Sequence, residues 1–320
     1  LSAVQMSGEN CTRVTHFILL GLTERPSLKP VLFALFLGSY VLTLVGNLSI
    51  VVLVRVSPHL RTPMYFFLSN LSFLDICYSC AISPKMLLDL SRKHTVISFA
   101  GCIAQFYFYA LFVTTEVYLL AAMAYDRYVA ICNPLLYGVI MSPRLCRCLV
   151  AASYFAGLLN ALAHTGALLR LSFCGPRVIN NFFCDGPPLF VLSSSATARP
   201  NEVLMFLLVG FSWAATNLFI VVSYARVAAA IVQMRSAEGR HRACSTCASH
   251  LASVAVFYLS AAFNYMQPSS VNSMENRKIA AVFYSVVVPM LNPLIYSLRN
   301  KEVKHAATNI VDTVRRKVYS

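Results

Sequence analysis

Charge is what this sequence has little of. Only 12% of its residues are Asp, Glu, Lys or Arg, and mean hydropathy is +0.66. A soluble globular domain carries about 25% charged residues, so the composition excludes an ordinary soluble domain and indicates a membrane protein. Other things are missing too. No nucleophile–base pair and no metal-spaced His cluster appears, which argues against an enzyme. His164 and His250 stand alone and read as satisfied core histidines. The net charge of +14 is not accompanied by a basic–aromatic patch, so nucleic acid is not an expected partner. Neither a low-complexity linker nor an internal repeat breaks the chain. Leu1 to Lys29 also lacks a short apolar core with a small-residue cleavage site, so the first hydrophobic span is expected to act as an uncleaved insertion signal.

What is present is a series of windows with no charge or a single carboxylate, long enough to cross a bilayer, which takes roughly 20 apolar residues. They run over 30–54, 63–84, 95–125, 148–169, 203–225, 243–267 and 279–298. Seven spans place the termini on opposite sides. With the N-terminus outside, the cytoplasmic segments hold 15 of the 26 basic residues against four acids, and the outer segments hold 11 against six. Basic residues concentrate on cytoplasmic loops, so this orientation is favoured. Asn10-Cys11-Thr12 is a glycosylation sequon on the outer tail and agrees with it. The similar triplets at Asn47 and Asn70 fall inside spans. The expected organisation is therefore an outer tail over 1–29, a seven-helix all-α membrane domain over 30–298, and a cytoplasmic segment over 299–320. In that last segment Val303, Ala307, Ile310 and Val314 recur at helical spacing, the pattern of a short helix lying on a lipid surface.

Two carboxylates, Asp75 and Glu116, fall deep inside spans. Buried ionisable groups in a membrane are costly and mark functional sites by default. The plainer reading is a protonated pair bonded to neighbouring hydroxyls and amides. An ion path through a transporter or channel is a further alternative, although the repeated halves common in transporters are missing. At the end of the third span stands an adjacent acid–base pair, Asp126-Arg127, at the membrane interface. The carboxylate there can hold the Arg until something pulls it away. The longest loop, Arg170 to Glu202, holds Cys174 and Cys184, while Cys102 lies at the outer end of the third span. A Cys102–Cys184 bridge would pin that loop over the bundle, but counting alone does not fix the connectivity. Cys77, Cys80, Cys132, Cys146, Cys148, Cys244 and Cys247 read as free packing thiols.

Several strings, taken in order, resemble the odorant-receptor branch of rhodopsin-like G-protein-coupled receptors. They are Gly46-Asn47, the run from Pro63 to Asp75, and Met123-Ala-Tyr-Asp-Arg-Tyr-Val-Ala-Ile-Cys132. Ser223-Tyr224, the run from Cys244 to Leu251, and Pro289-Met-Leu-Asn-Pro-Leu-Ile-Tyr-Ser-Leu-Arg-Asn300 complete the set. The resemblance implies a seven-helix receptor in the plasma membrane of olfactory neuron cilia. It would bind a small volatile molecule and activate the olfactory stimulatory G protein, with membrane lipid around it. A receptor of the same superfamily for a lipid or peptide is the alternative. Asp126, Arg127, Tyr128, Tyr224, Asn292, Pro293 and Tyr296 would form the G-protein switch, Pro293 permitting a kink by removing a backbone bond. By position the ligand residues would be Tyr109, Val113, Thr114, Met205, Leu208, Ser212, Tyr258, Ala262, Tyr265 and Val282. These carry hydroxyls and apolar walls but no charge, so a neutral, mostly apolar ligand is expected. Asp75 and Glu116 would share a cation, sodium being the expected occupant, since close carboxylates cannot both stay ionised without a counter-charge; no other cofactor is expected. Two departures stand out. Ser193-Ser194-Ser195 occupies the place of a third loop cysteine, leaving Cys102–Cys184 as the expected bridge and Cys174 without its usual partner. Cys244 replaces a usual aromatic.

Overall fold

Inside hydrocarbon every backbone N–H and C=O must find a partner within the chain, so apolar runs of this length fold as helices. The computed structural model describes residues 14–92, 95–173, 177–193, 195–265, 278–299, 303 and 308. Asn10, Cys11, Cys174, Ser194 and the stripe at Ala307, Ile310 and Val314 lie outside the described residues. Within them, seven helices are long and apolar enough to cross a membrane. Their framework is α1 (Lys29–Val56), α2 (Pro63–Ser91), α3 (Phe99–Cys132), α5 (Pro143–Leu169), α7 (Ser195–Gln233), α8 (Ala237–Tyr265) and a seventh span, Lys278–Tyr296. The seventh contains a π-helical turn, Phe283–Val287, and continues as α9 (Val288–Arg299). Two short helices, α4 (Tyr137–Ile140) and α6 (Gly186–Val191), lie between spans.

Several boundaries differ from the hydropathy windows. The third helix starts at Phe99, where Ser98 accepts a bond from the Gly101 amide, and runs to Cys132. Asp126 and Arg127 therefore sit inside the helix, more than a turn before its end. The second continues through Pro84 to Ser91, its last two turns carrying a Lys85–Asp89 ion pair. The fourth begins earlier, at Pro143 behind the Ser142 cap. Much of the expected long loop is helical, since α6 and the start of α7 fall inside 170–202. The later start at Phe99 follows from Val96–Ser98 forming a strand, and the extensions have one cause. Hydropathy ends at the first charge, whereas backbone bonding continues wherever paired charges or caps accommodate it.

The helices pack around α3, the most buried of the seven. Gly157 of α5 lies tight against it: a Cβ there would lie 2.2 Å from Thr115 Oγ1 and 2.7 Å from the Leu111 carbonyl. The outward faces carry Val31, Leu35, Val45, Phe155, Phe211 and Leu218 exposed, as lipid-facing surfaces do.

An addition to the all-α expectation sits at the outer end. Strand β1 (His16–Leu19) pairs antiparallel with β2 (Val96–Ser98) and parallel with β3 (Val178–Ile179). Alternation along β1 sends Phe17 and Leu19 inward, where Phe17 meets Phe173 edge-on at 5.4 Å. The sheet has no local sequence signal because its strands come from three separate segments.

Candidate functional site

The cytoplasmic end is built on α3. Arg127 donates from Nε to Asp126 Oδ2 at 3.0 Å, and its terminal nitrogen binds the same oxygen. Tyr137 of α4 donates to the other oxygen, Oδ1, at 2.7 Å. Burial first, and the neighbouring Asp126 second, push the Tyr137 phenol above its ordinary value, so it keeps its proton and stays a donor. Across the bundle, Tyr224 of α7 shares a hydrogen bond of 2.6 Å with His250 Nδ1 of α8, their rings stacked 5.7 Å apart. His250 is buried and bonded through Nδ1, as a satisfied core histidine is. His164 is buried, and neither ring nitrogen has a hydrogen-bond partner among the described residues.

In the middle of the bundle, the Asn292 amide donates to both Asp75 oxygens, at 3.2 and 3.0 Å. Glu116 of α3 faces the same amide. Pro293, beside it, has no N–H, so the Pro289 carbonyl one turn earlier loses its helical donor. Asn47 of α1 supplies that donor at 3.0 Å. Gly46 lets α1 come close enough, since a Cβ there would lie 3.0 Å from Pro293 Cγ. The Gly46-Asn47 pair and Asn292-Pro293 therefore form one joint. Among the described residues no group of three or more His, Cys, Asp or Glu side chains is placed to hold a metal ion. The oxygen donors of Asp75 and Glu116 are nevertheless of the type a hard monovalent cation takes.

The outer half holds most of the expected ligand residues in two aromatic groups. Tyr258 of α8 donates to Thr216 Oγ1 at 3.1 Å, and Thr216 donates onward to the Ser212 carbonyl at 2.7 Å. Trp213 meets Tyr258 edge-on at 5.1 Å. Nearer the outside, Tyr109 lies 5.8 Å from Tyr78, 5.4 Å from Phe183 and 6.2 Å from Tyr284. Phe112 and Val113 pack against both groups and form the shared wall. Val282 borders the outer group, while Leu208 and Ala262 are half-buried. Ser212 accepts from Tyr118 at 3.4 Å. Thr114 turns to α5 instead, its hydroxyl held by Asn160 at 2.6 Å. Met205 and Tyr265 stand in α7 and α8 with side chains outside the described residues.

Over this half lies the loop pinned by the Cys102–Cys184 disulfide, whose Cα atoms are 5.4 Å apart. Gln105 reinforces the attachment: its amide donates to the Ala81 carbonyl at 3.0 Å and its oxygen accepts from the Cys184 N–H at 2.9 Å. The next residue, Asp185, is buried. It caps α6 by accepting from the Gly186 N–H at 2.7 Å, and it accepts from Tyr284 at 3.3 Å. The expected ligand residues carry no carboxyl group, and Asp185, reached by Tyr284 at the outer aromatic group, adds one near them. Sequence reasoning had assigned it to a loop; its place beside Cys184 was the available signal. Tyr137, Gln105 and Thr216 carried no such signal, because each acts through a residue distant in sequence.

A family profile described as olfactory receptor matches residues 36–313. This chain belongs to the olfactory receptor family. The receptor is 52% identical over 306 residues to mouse (Mus musculus) Olfactory receptor 5AP2, covering 96% of each chain. It is 51% identical over 306 residues to human (Homo sapiens) Olfactory receptor 8D1, covering 96% of this chain and 99% of that one. Its fold is similar to the crystal structure of squid rhodopsin, with a TM-score of 0.72 at 19% identity over 91% of this chain and 87% of that one. The receptor is a multi-pass membrane protein of a family that is not enzymatic.

Proposed function

We propose that this receptor binds a small, neutral, mostly apolar volatile molecule within the outer half of the bundle and activates the olfactory stimulatory G protein, raising cAMP. Its site of action is the plasma membrane of olfactory neuron cilia, with the N-terminus outside. The observation that carries this reading is the Asp126–Arg127–Tyr137 group beside a Tyr224 that is tied to α8. In the resting arrangement Arg127 is held by Asp126, and Tyr224 is parked on His250. A ligand pressing between α3, α7 and α8 displaces Tyr258 and lets the cytoplasmic end of α8 swing out. His250 then leaves Tyr224, which turns to Arg127, and the opened face receives the G protein. Charge-assisted hydrogen bonds are the stronger ones, so the contact Tyr224 gains with Arg127 offsets the His250 bond it gives up. Sodium bound by Asp75 and Glu116 would supply the counter-charge that favours the resting arrangement. The test is a cAMP reporter in cells expressing the receptor and an odorant panel. A neutral odorant should raise cAMP, and Arg127→Ala should abolish the rise while surface expression persists. Normal signalling by that variant would sink the switch.

A further inference from the structure

A cleft on the outside of the bundle takes no part in the interior site. Ala100, Ala104 and Phe108 recur every fourth residue along an exposed face of α3. With Tyr107 they border a cavity of about 390 Å³ that Thr165 and Leu169 of α5 close from the other side. That volume falls within the roughly 300–1,000 Å³ of small-molecule sites. The step of about 100° per residue sets this face of α3 opposite the one carrying Tyr109 and Val113. The cleft therefore opens toward lipid, where Phe108 and Leu169 are exposed. Two alanines keep its floor low. Its side is firm, since Tyr107 meets Phe108 edge-on at 5.3 Å and Phe108 stacks on Phe112 at 6.0 Å.

One polar atom breaks the apolar lining. Thr165 Oγ1 is buried and has no hydrogen-bond partner among the described residues. A buried donor left unmade is costly, and hydrocarbon holds no water to complete it. Thr divides between two side-chain rotamers in a helix, so the hydroxyl can turn into the cleft. It lies four residues inside the end of α5 at Leu169, about 6 Å along the axis. An acyl chain has no polar atom at that depth, and the ester and hydroxyl groups of phospholipids and sterols stay at the interface. A small solute dissolved in the bilayer does bring one.

We propose that this cleft is a second ligand site, taking small neutral ketones, esters and ethers from the bilayer. Their acceptor oxygen receives the Thr165 proton, and their apolar body covers Ala100, Ala104 and Phe108. A hydrocarbon of the same shape fills the cleft but leaves the hydroxyl unpaired, so it binds more weakly. The site is separate from the interior one and does not depend on the ligand bound there.

Benzophenone is a suitable probe, being an apolar ketone that cross-links to neighbouring C–H bonds on illumination. Purified full-length receptor in phosphatidylcholine vesicles is illuminated over a concentration series, and labelled residues are mapped by mass spectrometry. Labelling of 100–108 and 165–169 should saturate. Dicyclohexyl ketone should compete at about tenfold lower mole fraction in the membrane than dicyclohexylmethane, which lacks the carbonyl. Thr165→Val keeps the side-chain shape without the hydroxyl. It should raise half-saturation about tenfold and erase the difference between the two competitors. Ala104→Phe fills the cleft from an exposed position and should abolish labelling of both segments. Labelling that never saturates, or that is equally strong at the lipid-facing Phe155 and Phe211, means that lipid occupies the cleft and overturns the proposal. So does wild-type labelling of Thr165→Val or, if that variant does not fold, equal competition by the ketone and the hydrocarbon in the wild type. None of these measurements reads cAMP, so a failure of the proposed odorant signalling is seen separately.

Discussion

At Asp126 the donors of two residues converge on one buried carboxylate, and the division of oxygens decides what each does. Arg127 occupies Oδ2 and Tyr137 occupies Oδ1, so Tyr137 holds the carboxylate in place without competing for the Arg. Tyr137→Phe deletes that bond and loosens the hold. A hydrogen bond to a charged group contributes about 1.5–3 kcal/mol, so ligand-independent cAMP should rise severalfold with surface expression intact. An unchanged baseline would remove Tyr137 from the switch. Deeper in, Asp75 and Glu116 approach one Asn292 amide from two helices. Close carboxylates repel unless a cation or a proton stands between them. Replacing sodium by choline should therefore raise basal signalling in the wild type, and Asp75→Asn and Glu116→Gln should abolish that sensitivity. Wild-type sodium dependence in both variants would dismiss the cation.

Between helices, the contacts depend on what a Pro removes and what a Gly leaves out. Pro293 deprives the Pro289 carbonyl of its helical donor, and Asn47 replaces that donor from α1. Asn47→Ala leaves the carbonyl unpaired where water cannot reach, at a cost of about 1–3 kcal/mol, and should lower the thermal unfolding temperature of purified receptor by several degrees. Asn47→Asp, which has an acceptor where the amide donates, should do no better; full stability in either would show that the carbonyl finds another donor. Gly157 allows no such repair. With Thr115 Oγ1 and the Leu111 carbonyl inside contact distance of any Cβ, Gly157→Ala must push α5 off α3. Surface expression should fall well below that of Gly166→Ala, where a Cβ meets nothing within 4 Å. Equal expression of the two would show that α5 can shift freely.

Across the whole molecule, the outer end is held by one covalent bond and a small sheet. The Cys102–Cys184 disulfide fixes the loop carrying Phe183 and Asp185 against α3, and β1 threads between β2 and β3 to cover it. Losing a native disulfide commonly costs about 2–5 kcal/mol. Cys102→Ser and Cys184→Ser should each be retained in the endoplasmic reticulum, and the double variant should fare no worse than either. Thiol mapping that finds both cysteines reduced in surface-expressed receptor would refute the bridge as a condition of folding.

The sequence by itself determined what hydrophobicity and covalent chemistry dictate locally. Seven apolar runs fold as seven helices because unpaired backbone is intolerable in hydrocarbon. The neighbours Asp126 and Arg127 meet because one residue separates neither from the other's reach. The ordered strings from Pro63 to Asp75 and from Pro289 to Asn300 placed the chain in its family. Helix ends were less legible, since charge stops a hydropathy window without stopping a helix, as Ser91 and Cys132 show. The tertiary structure alone decided the partners that lie far apart along the chain. Tyr137 on Asp126, His250 on Tyr224, Asn47 on the Pro289 carbonyl and Tyr284 on Asp185 pair groups whose separation in sequence says nothing of their separation in space. Thr114 was expected beside the ligand by position, yet the step of about 100° around the helix from Val113 sets it against Asn160. Asp185 was a loop residue until the disulfide beside it carried it inward, because a bridge between two distant cysteines fixes the position of every residue next to them.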